Sequence, residues 1–126
     1  MAKVDKFEDL HCWQEARILI REIYRISNSQ ELKTDYSLKD QIRRASVSGM
    51  NNIAEGFSRY NVKECVRFLN IAQSSMTEVK SMLYILEDIG YVEKERLIGL
   101  HDQVDKTKKL TLGFIRYLVG RKVTKT

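Results

Sequence analysis

The run from Val62 to Ile89 is the longest helical pattern in the chain, and it narrows the available folds more than any other feature. Cys65, Phe68, Leu69, Ala72, Met76, Val79, Leu83 and Leu86 recur at three- and four-residue spacings, which places them on one face of a helix. At the usual rise per residue such a helix is about 40 Å long. That is too long for a small mixed domain and suits an elongated bundle. Both ends carry stop signals: Asn61 with Glu64 forms a cap-like pair, and Gly90 sits where a helix commonly ends in a left-handed residue. The chain has no proline, so nothing interrupts a helix in the way that residue does.

Three further helical patterns surround this one. Residues 37–56 carry Leu38, Ile42, Gly49 and Ile53 on one stripe that continues to Phe57, with Ser37 and Asp40 resembling a capping box at the start. A second stripe beside it, Gln41, Ala45, Ser48, Asn52 and Glu55, is small or polar. Small residues let another backbone come close, and polar ones placed there need hydrogen-bond partners. Residues 10–26 form an earlier helix with Leu10, Trp13, Ala16, Ile20, Ile23 and Tyr24 inward, widened by Ile18, Leu19 and Ile26. Residues 93–119 form the last, with Leu97, Leu100, Val104, Thr107, Thr111, Phe114 and Leu118 at heptad-like spacing. Gly99 and Gly113 each weaken this last helix by about 1 kcal/mol relative to alanine, and close helix contact is the expected reason for them. Residues 1–9 read as a leader, 28–36 as a loop and 120–126 as a frayed basic tail. The turn at 57–60 is too short for anything but a close reversal.

Four helices, short reversals and no strand alternation predict an all-α fold, an antiparallel up-down-up-down four-helix bundle. The 126 residues are expected to form one domain, long enough to bury a core without a staple. A 43% hydrophobic and 31% charged composition fits a soluble protein, and no apolar run approaches the ~20 residues needed to span a bilayer. Cys12 and Cys65 both fall inside helical patterns and the N-terminus has no apolar targeting core, so a reduced, cytoplasmic setting is expected.

The net charge of +5 is unevenly placed. Residues 93–126 hold nine basic against four acidic residues and residues 36–60 hold four against two, whereas 1–35 and 61–92 are each at −1. A basic surface suits a polyanion, and a solvated lysine-rich face is the simpler alternative. Arg43, Arg44, Arg59, Lys63 and Arg67 lie on or near the reversal at 57–60, with Phe57 and Tyr60 beside them. Basic groups interleaved with aromatics can hold phosphates and stack on unpaired bases. Lys106, Lys108, Lys109 and Arg116 form a second basic set. The chain lacks His-x3-His, CxxC and Glu-x-x-His spacings, so no metal site is expected. Glu55 and Glu78, with Asn52, invite an acid/base reading. No nucleophile, phosphate loop or histidine accompanies them, so a structural polar network of Gln41, Ser48, Asn52, Glu55, Ser75 and Glu78 is expected instead, with no enzymatic activity, cofactor or small-molecule substrate.

From QIRRASVSGMNNIAEGFSR onward the sequence resembles the four-helix-bundle family of 23S rRNA-intervening-sequence proteins. The likeness continues through Asn61, Glu64, Phe68, Leu69, Ile71, Ala72 and Ser75, and includes Leu10, Trp13, Leu86, Glu87, Gly90 and Tyr91. It spans about residues 7–118. One departure is Gly49-Met50, where relatives commonly carry Ile-Pro or a similar pair that can kink the helix. The resemblance implies assembly into a homopentamer and similarity to the basic accessory protein of diversity-generating retroelements, which works with a reverse transcriptase and nucleic acid. It supplies no catalytic residues. The expected function is therefore a homo-oligomeric module that binds RNA, DNA or a nucleic-acid-handling protein through its basic surfaces. The alternative is a protein–protein scaffold whose excess apolar positions make partner contacts.

Overall fold

The computed structural model describes residues 4–124, which are all-α: a short 3-10 turn at Phe7–Asp9 and five α-helices, with no strand among the described residues. The helices are α1 (His11–Ser27), α2 (Gln30–Thr34), α3 (Tyr36–Phe57), α4 (Val62–Ile89) and α5 (Lys94–Thr124). Helix α1 packs on α3 and α5, and α4 packs on those same two helices, so the four long helices close a circuit of neighbours. Cross-helix bonds give the relative directions. Glu15 of α1 accepts from Gln103 of α5, while Glu22, further along α1, meets Arg96 earlier in α5. Along α4, Gln73 bonds to Lys108 of α5 and Lys80 to Asp105.

The central run is a helix with the expected bounds, Val62–Ile89. The Asn61 side chain accepts from the Glu64 N–H at 2.8 Å, and Gly90 ends the helix at φ 73°, a conformation glycine adopts without penalty. The start of α3 differs from expectation. Asp35, not Ser37, is the N-cap and accepts from the Leu38 N–H, while Ser37 lies inside the first turn and accepts from Gln41. The cap moved because the preceding loop contains a helix. Within the loop expected at 28–36, Leu32 of α2 is fully buried, and that apolar anchor folds the polar residues around it into an extra turn. Tyr91 closes the same end of the molecule by donating to the Asp35 carboxylate at 3.2 Å.

Other boundaries shift slightly. Helices α1 and α3 each extend one residue beyond the expected C-terminal end, and α5 starts one residue late and runs on to Thr124 rather than fraying at 120. Residues 1–3 of the expected leader and residues 125–126 of the tail lie outside the described residues. The rest of the leader is structured: Val4 and Phe7 pack against the core, and the Phe7 ring meets Trp13 edge-on with centroids 5.1 Å apart.

One continuous core joins all five helices. The inner stripe expected for α5 is buried throughout, including Thr107 and Thr111. Their hydroxyls each bond to the carbonyl four residues back at 2.8 Å, so burial leaves no hydroxyl unpaired. Helix α3 continues past Gly49-Met50 without a break. At Gly49 and Gly56 atoms of α4 lie directly against the α3 backbone. A Cβ at Gly49 would overlap the Met76 methyl, and one at Gly56 would lie 3.0 Å from the Cys65 carbonyl oxygen. The expected close contacts at Gly99 and Gly113 are not present: nothing lies within 4 Å of a Cβ built at either. Both are solvent-facing, so they lie on open surface of this chain.

Arg43 ties α3 to the end of α1. Its Nε donates to the buried Ser27 hydroxyl at 2.6 Å, its Nη2 donates to the Asn28 side-chain oxygen at 3.0 Å, and its guanidinium lies 4.2 Å from the Tyr24 ring centroid.

Two stability outcomes follow from this packing. Gly56→Ala should lose about 1–2 kcal/mol despite alanine's better helix propensity, because a backbone carbonyl is the closest atom and yields little. Arg43→Ala should lose about 1–3 kcal/mol through two hydrogen bonds and a ring contact. Exposed Arg44→Ala, the internal control, should stay within about 0.5 kcal/mol. Urea unfolding checks all three, and equal losses at Arg43 and Arg44 would refute the role given to Arg43.

Candidate nucleic-acid interface

The reversal between α3 and α4 gathers the densest group of basic and aromatic side chains. Its backbone is held on both sides. Ser58 and Arg59 N–H groups bond back into the last turn of α3, and the Cys65 N–H bonds to the Asn61 carbonyl. The Cys65 thiol donates to the Arg59 carbonyl at 3.3 Å. On this frame Arg59 and Arg67 each place a guanidinium 4.5 Å from the Phe68 ring centroid. The stripe position expected to bury Phe68 leaves it only half-buried: its Cβ lies against α3 at Gly56, while its ring is covered by the two arginines.

Each arginine also holds a carboxylate. Arg59 meets Glu55 at 2.9 Å and Arg67 meets Glu64 at 2.8 Å, with all four side chains roughly half exposed. The Arg67 hydrogen bond, followed by the charges of Arg67, Arg59 and Lys63, holds the Glu64 carboxyl below its ordinary range. Exposed pairs of this kind are worth ~0–1 kcal/mol, so a phosphate competes for either guanidinium at small cost. Lys63 is exposed on the first turn of α4, and Tyr60 stands wholly in solvent at the tip.

The remaining basic residues are spread more widely. Arg43 is committed to α1, as described above, and faces away from this group. Arg44 is exposed and lines an open recess of about 290 Å³ with Gln41, Ala45, Ser48, Ser75 and Glu78. On α5, Lys106 pairs with Glu15 at 3.1 Å, Lys108 donates to the Thr77 hydroxyl at 2.6 Å, and Lys109 and Arg116 are exposed. Partial burial opposes ionisation of Glu15, yet hydrogen bonds from Gln103 and Lys106 keep its carboxyl low. Since α5 runs antiparallel to α4 and Gln73 bonds to Lys108, Arg116 lies about 12 Å further toward the start of α4.

The polar stripe divides into two parts. Ser48 and Ser75 share a hydrogen bond of 2.8 Å between α3 and α4, and the Asn52 side-chain amide donates to the Ser48 carbonyl at 2.8 Å. Gln41 and Glu78 border the same recess, with Gln41 donating to Ser37. Glu55 is turned to Arg59 and lies at the other end of α3, so the facing of Glu55 and Glu78 considered from sequence does not occur. A recess of about 320 Å³ beside Glu55 is lined by Phe7, Asn51, Ala54 and Ser58, with no second carboxylate.

Sequence spacing did not bring out one further cluster. Lys80 of α4 lies 2.9 Å from the Asp105 carboxylate and 3.2 Å from His101 Nδ1 on α5, and His101 packs on Tyr84 at a centroid distance of 4.6 Å. Burial and then the Lys80 charge lower the His101 pKa, against the pull of Asp105, Glu87 and Asp102. His101 and Asp105 are four residues apart on one helix face, which is the signal for this pair; the Lys80 contribution depends on the α4–α5 register. Burial pushes the Cys12 thiol up to about 11 against a hydrogen bond to Thr111, and burial also raises Cys65, so neither is an ionised nucleophile near neutral pH. Both cysteines are unpaired. Among the described residues no group of three or more His, Cys, Asp or Glu side chains is placed to hold a metal, and no helix is long and apolar enough to cross a membrane.

Comparison with known proteins agrees with the fold. A solved structure from Bacteroides thetaiotaomicron, a protein of unknown function in the S23 ribosomal protein family, superposes with a TM-score of 0.75 at 20% identity. The match covers 82% of this chain and 97% of that one. No curated protein matches the sequence. The model of the 23S rRNA-intervening sequence protein family matches residues 8–113, nearly the whole of the helical circuit, and the chain belongs to that family.

Proposed function

We propose that this protein is a non-enzymatic, homo-oligomeric RNA-binding module. In this reading the 126 residues form one domain, an up-down-up-down four-helix bundle, and the cytoplasm keeps both thiols reduced. The observation that carries the reading is the basic cluster at the α3–α4 turn, where Arg59 and Arg67 lie over the Phe68 ring and exposed Lys63 stands on the first turn of α4, on a backbone fixed from both sides. Exposed Arg44, Lys109 and Arg116 extend the positive surface, with Lys106 and Lys108 beside them on α5. Arg43 supports the fold and is not counted among the phosphate contacts. The family's name refers to a segment of ribosomal RNA, which favours RNA over DNA as the partner.

Oligomerisation strengthens the electrostatics. Five copies at +5 each carry about +25, a field strong enough to concentrate a polyanion. The pentamer comes from the family resemblance. The recess lined by Gln41, Arg44, Ala45, Ser48, Ser75 and Glu78 is a surface suited to subunit contact, since small residues admit a close neighbour and Arg44 and Glu78 offer opposite charges.

A protein scaffold is the second reading. Tyr84, Ile85, Ile89 and Ile98 are exposed near the α4–α5 turn, and an apolar group of this kind favours a protein surface. The absorbance ratio at 260 and 280 nm of the purified protein separates the two readings: bound nucleic acid raises it, and a protein partner does not.

Two measurements test the first reading. Light scattering should give a mass near five times 14.8 kDa, about 74 kDa, and a monomer mass would remove the oligomer. Fluorescence anisotropy with structured RNA should show binding that weakens about 10- to 40-fold between 50 and 200 mM salt if about two to three phosphates are neutralised. No binding at low salt would remove RNA as the partner, and a salt-independent affinity would remove the phosphate mechanism.

A further inference from the structure

Tyr60 is the most exposed aromatic side chain among the described residues, and the fold gives no reason for it. It sits in the α3–α4 reversal immediately before the capping Asn61, in a kind of position where small polar residues normally serve. Among the described residues it has no hydrogen-bonding, stacking or cation partner, unlike Tyr24, Tyr36, Tyr84 and Tyr91. Its backbone support is nevertheless firm, because Arg59 N–H and Cys65 N–H are bonded on either side of it. The side chain is therefore a flat π surface standing in water on a backbone bonded on both sides.

Positive groups surround that place. Arg59 precedes Tyr60, Lys63 follows on the first turn of α4, and Arg67 lies one further turn along. The arginines are held against Phe68, and their partners Glu55 and Glu64 are exposed and exchangeable for phosphate. A continuous duplex offers this arrangement phosphates only, since its base faces are stacked inside. A single strand offers phosphates to the cations and an unpaired base to the ring.

We propose that Tyr60 stacks on an unpaired base while Arg59, Lys63 and Arg67 hold the flanking phosphates, so that the nucleic acid taken at this turn is single-stranded. This rests on the nucleic-acid reading above and narrows it to a substrate class. The occupant is identified by charge complementarity and by the exposed ring, and a protein partner at the same place is an outcome of the test.

The test is anisotropy with a fluorescent 12-nucleotide uridine-rich RNA and a blunt RNA duplex of the same length at low salt. Wild type, Tyr60→Ala, Tyr60→Phe and Lys63→Gln are compared. Tyr60→Ala should weaken single-strand binding about tenfold and leave duplex binding unchanged, because a stacked base is lost. Tyr60→Phe keeps the ring and should bind like wild type. Lys63→Gln should weaken both and reduce the salt slope by about one. Thermal melts confirm that each variant is folded, which the exposure of both positions favours. Single-strand binding that is indifferent to Tyr60→Ala, or an equal loss on strand and duplex, would overturn the stacking proposal while leaving the nucleic-acid reading in place. Binding of neither RNA by wild type would overturn both, and pull-down of a protein lost on Tyr60→Ala would then assign the turn to a protein contact.

Discussion

The close approach of α3 and α4 is the contact on which the rest of the structure depends. Two glycines in register with the core of α4 allow it: Gly49 leaves space for the Met76 methyl, and Gly56 lies against the Cys65 carbonyl. The Ser48–Ser75 hydrogen bond joins the two helices at the edge of an open recess and pairs two half-buried hydroxyls. With this pair fixed, α4 presents its other side to α5, and α3 presents its other side to α1. The short reversal at residues 58–61 has little conformational freedom left, which is why the basic and aromatic groups it carries are held in place.

The same constraint explains how half-buried and exposed arginines divide. Arg43 and Arg44 are neighbours in sequence, but the helix points them to different sides. One reaches the end of α1 and the Tyr24 ring, and the other remains in solvent beside a shallow recess. Arg59 and Arg67 are anchored by weak, exposed ion pairs and by Phe68, so they are ordered without being buried. Such groups bind an anion without first being organised by it, which lowers the entropic cost of association.

Much of the fold was legible in the residues because its strongest signals are local. The bounds of α4, its Asn61 cap and its Gly90 stop depend on neighbours in sequence, and so does the buried stripe of α5 with its threonines bonded four residues back. What could not be read depends on tertiary partners. Helix α2 exists because Leu32 finds the core, and that helix in turn shifts the α3 cap to Asp35. Gly99 and Gly113 resemble contact glycines in sequence, but which face of α5 meets a neighbour is decided by the tertiary packing, and theirs does not. For the candidate site, the basic and aromatic composition of the turn was visible. The capture of Arg43 by α1 was not, since it joins residues sixteen positions apart through a packing angle. The Lys80–His101–Asp105 cluster was hidden for the same reason.

The central claim, that α3 and α4 approach through missing side chains, is tested most directly by a double-mutant cycle on Gly49→Ala and Met76→Ala, read by urea unfolding. In the wild-type core the added methyl would overlap the end of the Met76 side chain, which is fully buried and would have to repack, so Gly49→Ala should destabilise. In the Met76→Ala background the room exists, and the same substitution should become neutral or stabilising by up to about 1 kcal/mol through helix propensity. The account predicts a coupling energy of at least about 1 kcal/mol between the two sites. Additive effects, with Gly49→Ala costing the same in both backgrounds, would contradict it.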